Sequence, residues 1–220
     1  MTSMKMEPPP SLGTAHYGHQ HIALIMALLL FAPIFGWLIS RGLGGQMDWL
    51  VSQLLSLHGD AAHGAWAKLL IAVTWLGHFG PRTAMALILA YYVYRIRGAV
   101  GAAVLLGCFF AASGYSSLLK AIFDRERPDI IVHLDHVSSA SYPSGHAAGA
   151  MVIMVMLATI VPPRFRSLAW VIALLWVGLM SISRLALGVH WLTDIIGGLA
   201  IGLGFALLAR PFIQWRARTA

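Results

Sequence analysis

The sequence predicts an all-α polytopic membrane protein: a bundle of six transmembrane helices with interfacial amphipathic helices between the first two spans. Of its 220 residues, 59% are hydrophobic and only 10% are charged, and the mean hydropathy is +0.76. Soluble domains carry about 25% charged residues. Long apolar runs recur from residue 21 onward. In a bilayer such runs form helices, because every backbone polar group must be satisfied internally.

A single membrane domain is expected at residues 21–220, because no polar linker interrupts that region. Residues 1–20 are polar and proline-rich, and we expect them to form a disordered tail. Its histidines, His16, His19 and His21, could bind a transition metal, but a disordered polar tail is the simpler interpretation. The apolar run that follows is longer than a signal-peptide core and lacks a convincing cleavage site. It is therefore expected to remain as the first span.

Six stretches are candidates for spans, each of which needs roughly 17–25 mostly apolar residues. The second candidate is short, and its helix is expected to begin at Pro81. Between the first two spans, 47–57 alternates apolar and polar residues with a helical period, and 64–79 is more apolar. Both are predicted to lie at the membrane interface. The predicted spans are 22–39, 83–94, 98–119, 145–161, 168–183 and 195–209.

The charge distribution predicts the orientation. With the N-terminus in the cytoplasm, all acidic residues except Glu7 fall on the opposite side, and the cytoplasmic side is basic, as the positive-inside bias requires. We therefore expect a multi-pass inner (plasma) membrane protein with both termini cytoplasmic. Topology explains the net charge of +7, and no basic-aromatic patch indicates nucleic-acid binding. The cytoplasmic basic residues are Lys5, Arg95, Arg97, Arg164, Arg166, Arg210, Arg216 and Arg218.

Three separated stretches place polar residues on the non-cytoplasmic side at similar depth. In the first, Lys120 and Arg127 are seven residues apart and are expected to share one face of a helix that Pro128 ends. Two cations there suit a phosphate, because arginine offers a bidentate fork and lysine a point charge. Alone, they would equally fit anchors that snorkel at a membrane boundary. The neighbouring Arg125 fits a locally paired charged collar.

The second stretch, Pro143-Ser144-Gly145-His146, predicts a helix start with Ser144 as N-cap. A helix N-terminus binds anions through its free N–H groups and its dipole. Gly145 permits close backbone approach, and His146 would stand beside the anion as a proton donor. The alternative is a capped helix start with an interfacial histidine.

The third stretch contains Arg184, His190 and Asp194. A carboxylate on one nitrogen of an imidazole fixes its tautomer and leaves the other nitrogen free as a nucleophile. The spacing of four residues allows that pairing if the stretch is helical. The alternative is a polar interfacial turn in which Asp194 or Thr193 caps the next helix.

Together the three stretches resemble the signature of the type 2 phosphatidic acid phosphatase superfamily, which includes lipid phosphate phosphatases and vanadium haloperoxidases, in its bacterial membrane-bound branch. The resemblance implies that residues 21–220 form a metal-independent phosphatase domain that needs no cofactor. It implies that His190 attacks to form a phosphohistidine, that Asp194 orients it, and that His146 protonates the leaving oxygen and then activates water. The implied phosphate-binding residues are Lys120, Arg127, Arg184, Ser144 and Gly145.

The predicted function is that of a lipid phosphate phosphatase at the outer, periplasmic face of the membrane. Its substrate would be phosphatidate, phosphatidylglycerophosphate, a polyprenyl diphosphate or a lipid A-type phosphate, with loop 129–142 contributing to the choice. The expected partners are that lipid and the bilayer, and the oligomeric state is left open. The alternatives are an anion or lipid transporter, a non-catalytic lipid-binding protein, and a haloperoxidase. The cations cluster at one depth and no paired broken helices occur, which disfavours a transporter.

Overall fold

The computed structural model describes residues 18–214, and throughout that range the chain forms helices joined by turns, with no strand. The predicted all-α fold is thereby confirmed. Short 3-10 turns lie at Gly59–His63 and Pro163–Phe165. The α-helices of the described range are α1 (His19–Ser40), α2 (Gly45–Leu55), α3 (Ala65–Leu76), α4 (Phe79–Phe123), α5 (Gly145–Ile160), α6 (Arg166–Ala186) and α7 (Leu192–Ile213).

The first helix begins earlier than the sequence predicts. α1 starts at His19, so that His19 and His21 lie on the helix and not in a preceding tail. His16 and the rest of the predicted tail lie outside the described residues, as do Lys5, Arg216 and Arg218 of the predicted cytoplasmic group. The disordered tail therefore stays a prediction.

Four helices of the described range are long and apolar enough to cross a membrane: His19–Ser40, Phe79–Phe123, Pro163–Ala186 and Leu192–Ile213. They identify the chain as an integral membrane protein. α5 is also apolar but has only 16 residues, a rise of about 24 Å against roughly 30 Å of hydrocarbon. Length and composition therefore do not confirm the count of six spans, which stays a prediction.

The 45 residues of α4 do not form one straight helix. Gly98 has φ +78° and ψ −175°, a conformation that glycine adopts without a steric penalty. Arg82 and Ser113 would be about 46 Å apart along an unbroken helix, yet Arg82 Nη2 lies 3.5 Å from Ser113 Oγ. The halves 79–97 and 99–123 therefore run antiparallel. The first half contains the predicted second span, 83–94, and the second half contains all of the predicted third span, 98–119, except Gly98 at the break.

α5 lies at the centre of the bundle, where its side chains are buried against both halves of α4 and against α7. Small residues bring α7 close to it. A Cβ atom at Gly198 would strike the carbonyl of Ser144, and one at Gly202 would strike that of Ala148. These two contacts, about one helical turn apart, fix the start of α5 against the start of α7, and both starts belong to the candidate site.

α2 turns its polar side toward the protein and its apolar side away from it. Asp48 and Ser52 are each 1% exposed, whereas Trp49 and Leu54 are 54% and 72% exposed. A helix on the surface of a soluble protein has the opposite arrangement, so the outer face of α2 suits contact with lipid. α3 has 12 residues, about 18 Å, and buries Leu70 against the end of α6. It is too short to span a bilayer.

Candidate active site

The end of α4 carries the first two predicted cations and corrects one prediction. The helix stops at Phe123, and Asp124 adopts a left-handed φ of +38° with its N–H bonded to the carbonyl of Lys120 at 3.0 Å. Such a residue closes a helix. Arg127 therefore does not share a helical face with Lys120, and that expectation is wrong. The two cations meet by another route, because Lys120 Nζ and Arg127 Nη2 both donate to the carbonyl of Ala140.

The second stretch forms the N-terminus of α5. Ser144 is the N-cap, and the N–H of Ala147 lies 3.5 Å from its Oγ. The side chain of Ser144 is fully buried and is not part of the cavity wall described below. Its hydroxyl lies behind that wall, and the predicted phosphate contact of Ser144 stays a prediction. Gly145 and His146 do line the cavity, at the end of the helix where N–H groups attract an anion.

His190 lies in the turn between α6 and α7 and is 2% exposed. Asp194 lies in the first turn of α7, with Oδ2 3.2 Å from Nδ1 of His190. The same oxygen accepts the N–H of Trp191 at 2.8 Å and the hydroxyl of Ser141. A carboxylate held in this way fixes the imidazole tautomer. The other nitrogen, Nε2, faces Nη1 of Arg127 at 3.5 Å.

Burial and neighbouring cations keep the imidazole of His190 uncharged at neutral pH. Burial is the largest cause of its lowered pKa. Arg184, Arg127 and Lys120 lower it further, so that the pKa lies well below the usual 6.5. Burial and Arg184 also lower the pKa of Arg127, to about 10, which leaves Arg127 protonated. A neutral imidazole beside permanent cations is suited to attack an anionic centre.

Arg125 binds the carboxylate of Asp194 on the side away from His190. The prediction of a locally paired charged collar did not include this role. Nη1 of Arg125 donates to Asp194 Oδ1 at 2.6 Å and to Thr193 Oγ1 at 2.7 Å, and its Nη2 donates to Asp48 Oδ2 at 2.7 Å. Asp48 also accepts the N–H of Thr193 at 2.9 Å. The carboxylate that orients His190 is thus held by a cation shared with α2. A lone aspartate in the otherwise uncharged α2 was the available sequence signal.

Arg184 lies at the end of α6 and is 1% exposed. Its Nη1 donates to Asp135 Oδ2 at 2.6 Å and to Thr74 Oγ1, while its Nε has no partner among the described residues. Burial raises the pKa of Asp135, but the hydrogen bond and charge of Arg184, together with His78, bring that pKa below its usual value. The sequence did not predict this pairing, because Asp135 lies in a loop far from Arg184 along the chain.

These elements enclose a cavity of about 570 Å³, within the size range of small-molecule sites. Asp194 and Ser144 stand behind its wall. The wall also includes polar residues that no motif contains, among them His78, Arg82 and Ser113. Several fixed cations in one concave site suit an anion whose charge is spread over several oxygens. The predicted site residues that line the cavity are Lys120, Arg127, Gly145, His146, Arg184 and His190.

One group of described residues could hold a metal ion. His78, Asp135 and His146 offer ligand atoms that all lie within 4.8 Å of one another. Asp135, however, already pairs with Arg184 at 2.6 Å, and a dication bound there would face that guanidinium. The charges of the cavity favour an anion over a cation.

Comparison with known proteins extends the similarity beyond the motifs. A family model described as the PAP2 superfamily matches residues 100–218, a region that contains all three motif stretches. A crystal structure described as the first transmembrane PAP2 type phosphatidylglycerolphosphate phosphatase from Bacillus subtilis superposes with a TM-score of 0.74. It is 27% identical in sequence, and the superposition covers 86% of this chain and 94% of that chain.

Curated relatives are enzymes named for phosphorylated lipids. Phosphatidylglycerophosphatase B of Bacillus subtilis is 34% identical over 103 residues, which are 44% of this chain and 50% of the relative. Lipid A 1-phosphatase of Rhizobium johnstonii is 29% identical over 197 residues, 84% of this chain and 75% of the relative. The chain spans about half the length of the first curated relatives it matches.

Proposed function

Because the chain belongs to the PAP2 superfamily, we propose that it is a membrane lipid phosphatase that removes a phosphoryl group from a lipid headgroup through a phosphohistidine intermediate. The observation that carries this proposal is the pairing of His190 Nδ1 with Asp194 at 3.2 Å. The other ring nitrogen, Nε2, is not used by Asp194, and His190 lines a cavity together with Lys120, Arg127 and Arg184. The candidate substrates are phosphatidate, phosphatidylglycerophosphate, a polyprenyl diphosphate and a lipid A-type phosphate. The names of the relatives support a phosphorylated lipid.

Substrate binding uses Lys120, Arg127 and Arg184 with the N–H of Gly145. Lys120 and Arg127 are held at the cavity wall by backbone carbonyls of residues 139–141 and 189. The Nε–H of Arg184 has no partner in the described region and is available to a phosphoryl oxygen. Ser144 contributes as the N-cap that fixes Gly145. Phosphoryl transfer depends mainly on positioning and charge stabilisation, and these groups supply both.

In the first chemical step Nε2 of His190 attacks phosphorus. An N–P bond forms, the bond from phosphorus to the lipid oxygen breaks, and His146 gives its proton to that oxygen. Asp194 stabilises the positive charge that the imidazole of His190 acquires. In the second step His146 takes a proton from water and the resulting hydroxide attacks phosphorus. The N–P bond breaks, and inorganic phosphate leaves with His190 restored.

The arrangement in the membrane follows from the charge bias. Both termini are proposed to be cytoplasmic, with the cavity on the periplasmic or outer face of the inner membrane. A charged site bounded by apolar helix faces suits a lipid whose head is anionic and whose tail stays in the bilayer. The cations of the cavity take the place of a metal, so the reaction is proposed to be metal-independent.

A phosphate-release assay tests the function. Purified protein in detergent is given each of the four lipid classes, and free phosphate is measured. We expect release from at least one class, and none above background from a His190→Ala variant that elutes as a folded protein. Full activity of that variant would remove the proposed mechanism. Anion or lipid flux into liposomes without hydrolysis would favour the transporter instead.

A further inference from the structure

Arg82 is a cation of the cavity that none of the three motifs contains. It lies in the first turn of α4, and its side chain runs along the start of α5. Its Nη1 donates to the carbonyl of Gly145 at 2.6 Å, and its Nη2 lies 3.5 Å from Ser113 Oγ on the other half of α4. A Cβ atom at Gly149 would lie 3.0 Å from Cδ of Arg82. The glycine at 149 therefore makes room for this side chain.

Arg82, like Arg127 and unlike Arg125 and Arg184, forms no ion pair with a carboxylate of residues 18–214. Arg125 bridges two carboxylates, and Arg184 is paired with Asp135. No carboxylate of residues 18–214 forms an ion pair with Arg82, and its Nε is buried without a hydrogen-bond partner. Its charge meets the carbonyl of Gly145 and the ring of Phe79, whose centroid is 5.5 Å from Cζ, and a partly buried cation without a carboxylate partner typically marks a ligand path. The ligand that would balance it is an anion.

Arg82 lies close to His146. Its Nη1 contacts the residue directly before His146, and the ring of His78, four residues before Arg82, lies 5.3 Å from the ring of His146. In-line transfer puts the nucleophile and the leaving oxygen on opposite sides of phosphorus. With His190 as nucleophile and His146 as proton donor, Arg82 adjoins the leaving group.

We propose that Arg82 and Ser113, with Ser117 one turn further on the same helix, form a second anion subsite that binds a phosphate of the leaving group. This inference rests on the proposed function and narrows its substrate to a lipid with a second phosphate close to the scissile one. A lipid diphosphate has this chemistry, because its leaving group is a lipid monophosphate. Phosphatidylglycerophosphate has it too, because its leaving group carries a phosphodiester. Phosphatidate lacks it, since its only phosphate is the scissile one.

The test compares substrates within one variant. kcat/KM is measured for a polyprenyl diphosphate, phosphatidylglycerophosphate and phosphatidate with wild-type protein and with Arg82→Gln. Loss of one charge-assisted contact predicts a decrease of about 10- to 100-fold for the lipid or lipids that use the subsite, and less than about threefold for phosphatidate. Comparing the polyprenyl diphosphate with phosphatidylglycerophosphate shows whether the subsite binds the phosphate of a diphosphate or a phosphodiester. Arg95→Gln, an exposed arginine on the same helix, is the matched control.

The contrary outcomes are clear. An equal decrease for all three lipids would make Arg82 a packing residue that fixes Gly145 and would overturn the subsite. Unchanged kinetics would overturn it as well. If Arg82→Gln does not fold, Ser113→Ala replaces it, with the same selectivity expected at a smaller size.

A binding measurement separates failure of this inference from failure of the proposed function. Methylenediphosphonate and methylphosphonate are titrated into wild-type protein and into Arg82→Gln by calorimetry, which needs no turnover. Wild-type protein should bind the diphosphonate at least about tenfold more tightly, and the variant should lose that advantage. Equal affinities in wild-type protein would refute the subsite even if every lipid is hydrolysed. A diphosphonate preference without hydrolysis of any lipid would refute the phosphatase and leave the anion subsite standing.

Discussion

The two histidines of the cavity stand in contrasting surroundings. On the side of His190, the side chains of Asp194 and Ser141 are fully buried. Arg125 forms ion pairs with Asp194 and with Asp48. On the side of His146, the ring nitrogen Nε2 is buried without a hydrogen-bond partner among residues 18–214, and the neighbouring His78 side chain is 39% exposed. The proposed nucleophile, His190, is thus positioned before substrate arrives, which lowers the reorganisation needed for reaction. On the proposed leaving-group side, we expect the substrate to supply the missing hydrogen-bond partner of His146.

The largest expected effect separates the two histidines by their dependence on the leaving group. His190→Ala should lower kcat/KM on the order of 10⁴-fold for every phosphoester, because no covalent intermediate forms. His146→Ala should cost about 10²- to 10⁴-fold with lipid substrates, but much less with p-nitrophenyl phosphate, whose leaving group needs no proton. The measurement is phosphate release by both variants from a lipid and from the aryl ester.

Equal losses for both esters in His146→Ala would mean that His146 is not the proton donor. That result would also remove the proposed difference between the two histidines, because His190 and His146 would then both be needed for every substrate.

A substitution beside His190 should lower the free energy of unfolding far more than a substitution beside His146. Arg125→Gln leaves Asp48 and Asp194 buried without their cation, and breaking a buried pair of this kind costs about 3–5 kcal/mol. His78→Gln, beside the open part of the cavity, should change the free energy of unfolding by less than about 1 kcal/mol. Thermal unfolding in detergent, followed by tryptophan fluorescence, measures both. Similar melting temperatures for the two variants would show that the nucleophile side is no more tightly held.

The pH dependence of kcat/KM is expected to report the lowered pKa of His190. Only the unprotonated imidazole attacks, so the activity should fall on the acid side with a midpoint below about pH 6.5. Lys120→Gln removes one of the cations that lower this pKa; the pKa should rise and the midpoint should move to higher pH. A pH–rate profile of each protein measures the midpoints. A midpoint that moves to lower pH in the variant would contradict the electrostatic account of the site.

The smallest expected effect is that of chelation. EDTA should leave kcat/KM unchanged, because the phosphoryl charge is met by side-chain cations. The control is the same assay after added Zn²⁺ or Mg²⁺. Loss of activity in EDTA with recovery on adding a metal would instead assign a working ion to His78, Asp135 and His146.

Local patterns predicted the helices well, because each helix buries or exposes an apolar run that the sequence displays directly. The same patterns predicted the positions of residues beyond the end of a helix less well. The spacing of Lys120 and Arg127 implied a shared helical face, but the left-handed Asp124 ends the helix first. The two side chains still meet, because both reach the carbonyl of Ala140 from different backbones.

The residues that support the site were the ones that sequence patterns missed. Arg125 pairs with Asp48 across 77 residues of chain, and Arg184 pairs with Asp135 across 49. Such pairings depend on how loops fold back, which no periodicity encodes. A charge standing alone in an apolar segment was the only hint, and it shows that a residue needs a partner without showing which one.

The reversal of α4 at Gly98 places cations from two stretches of one helix, Arg82 and Lys120, in the wall of the same cavity. The half that carries Lys120 falls almost wholly within the family match at residues 100–218, whereas the half that carries Arg82 precedes it. The two halves meet again where Arg82 Nη2 lies 3.5 Å from Ser113 Oγ, so the bend at Gly98 sets the distance between their cations. The spacing between the anionic groups that the cavity can hold would then follow from the angle of this one bend.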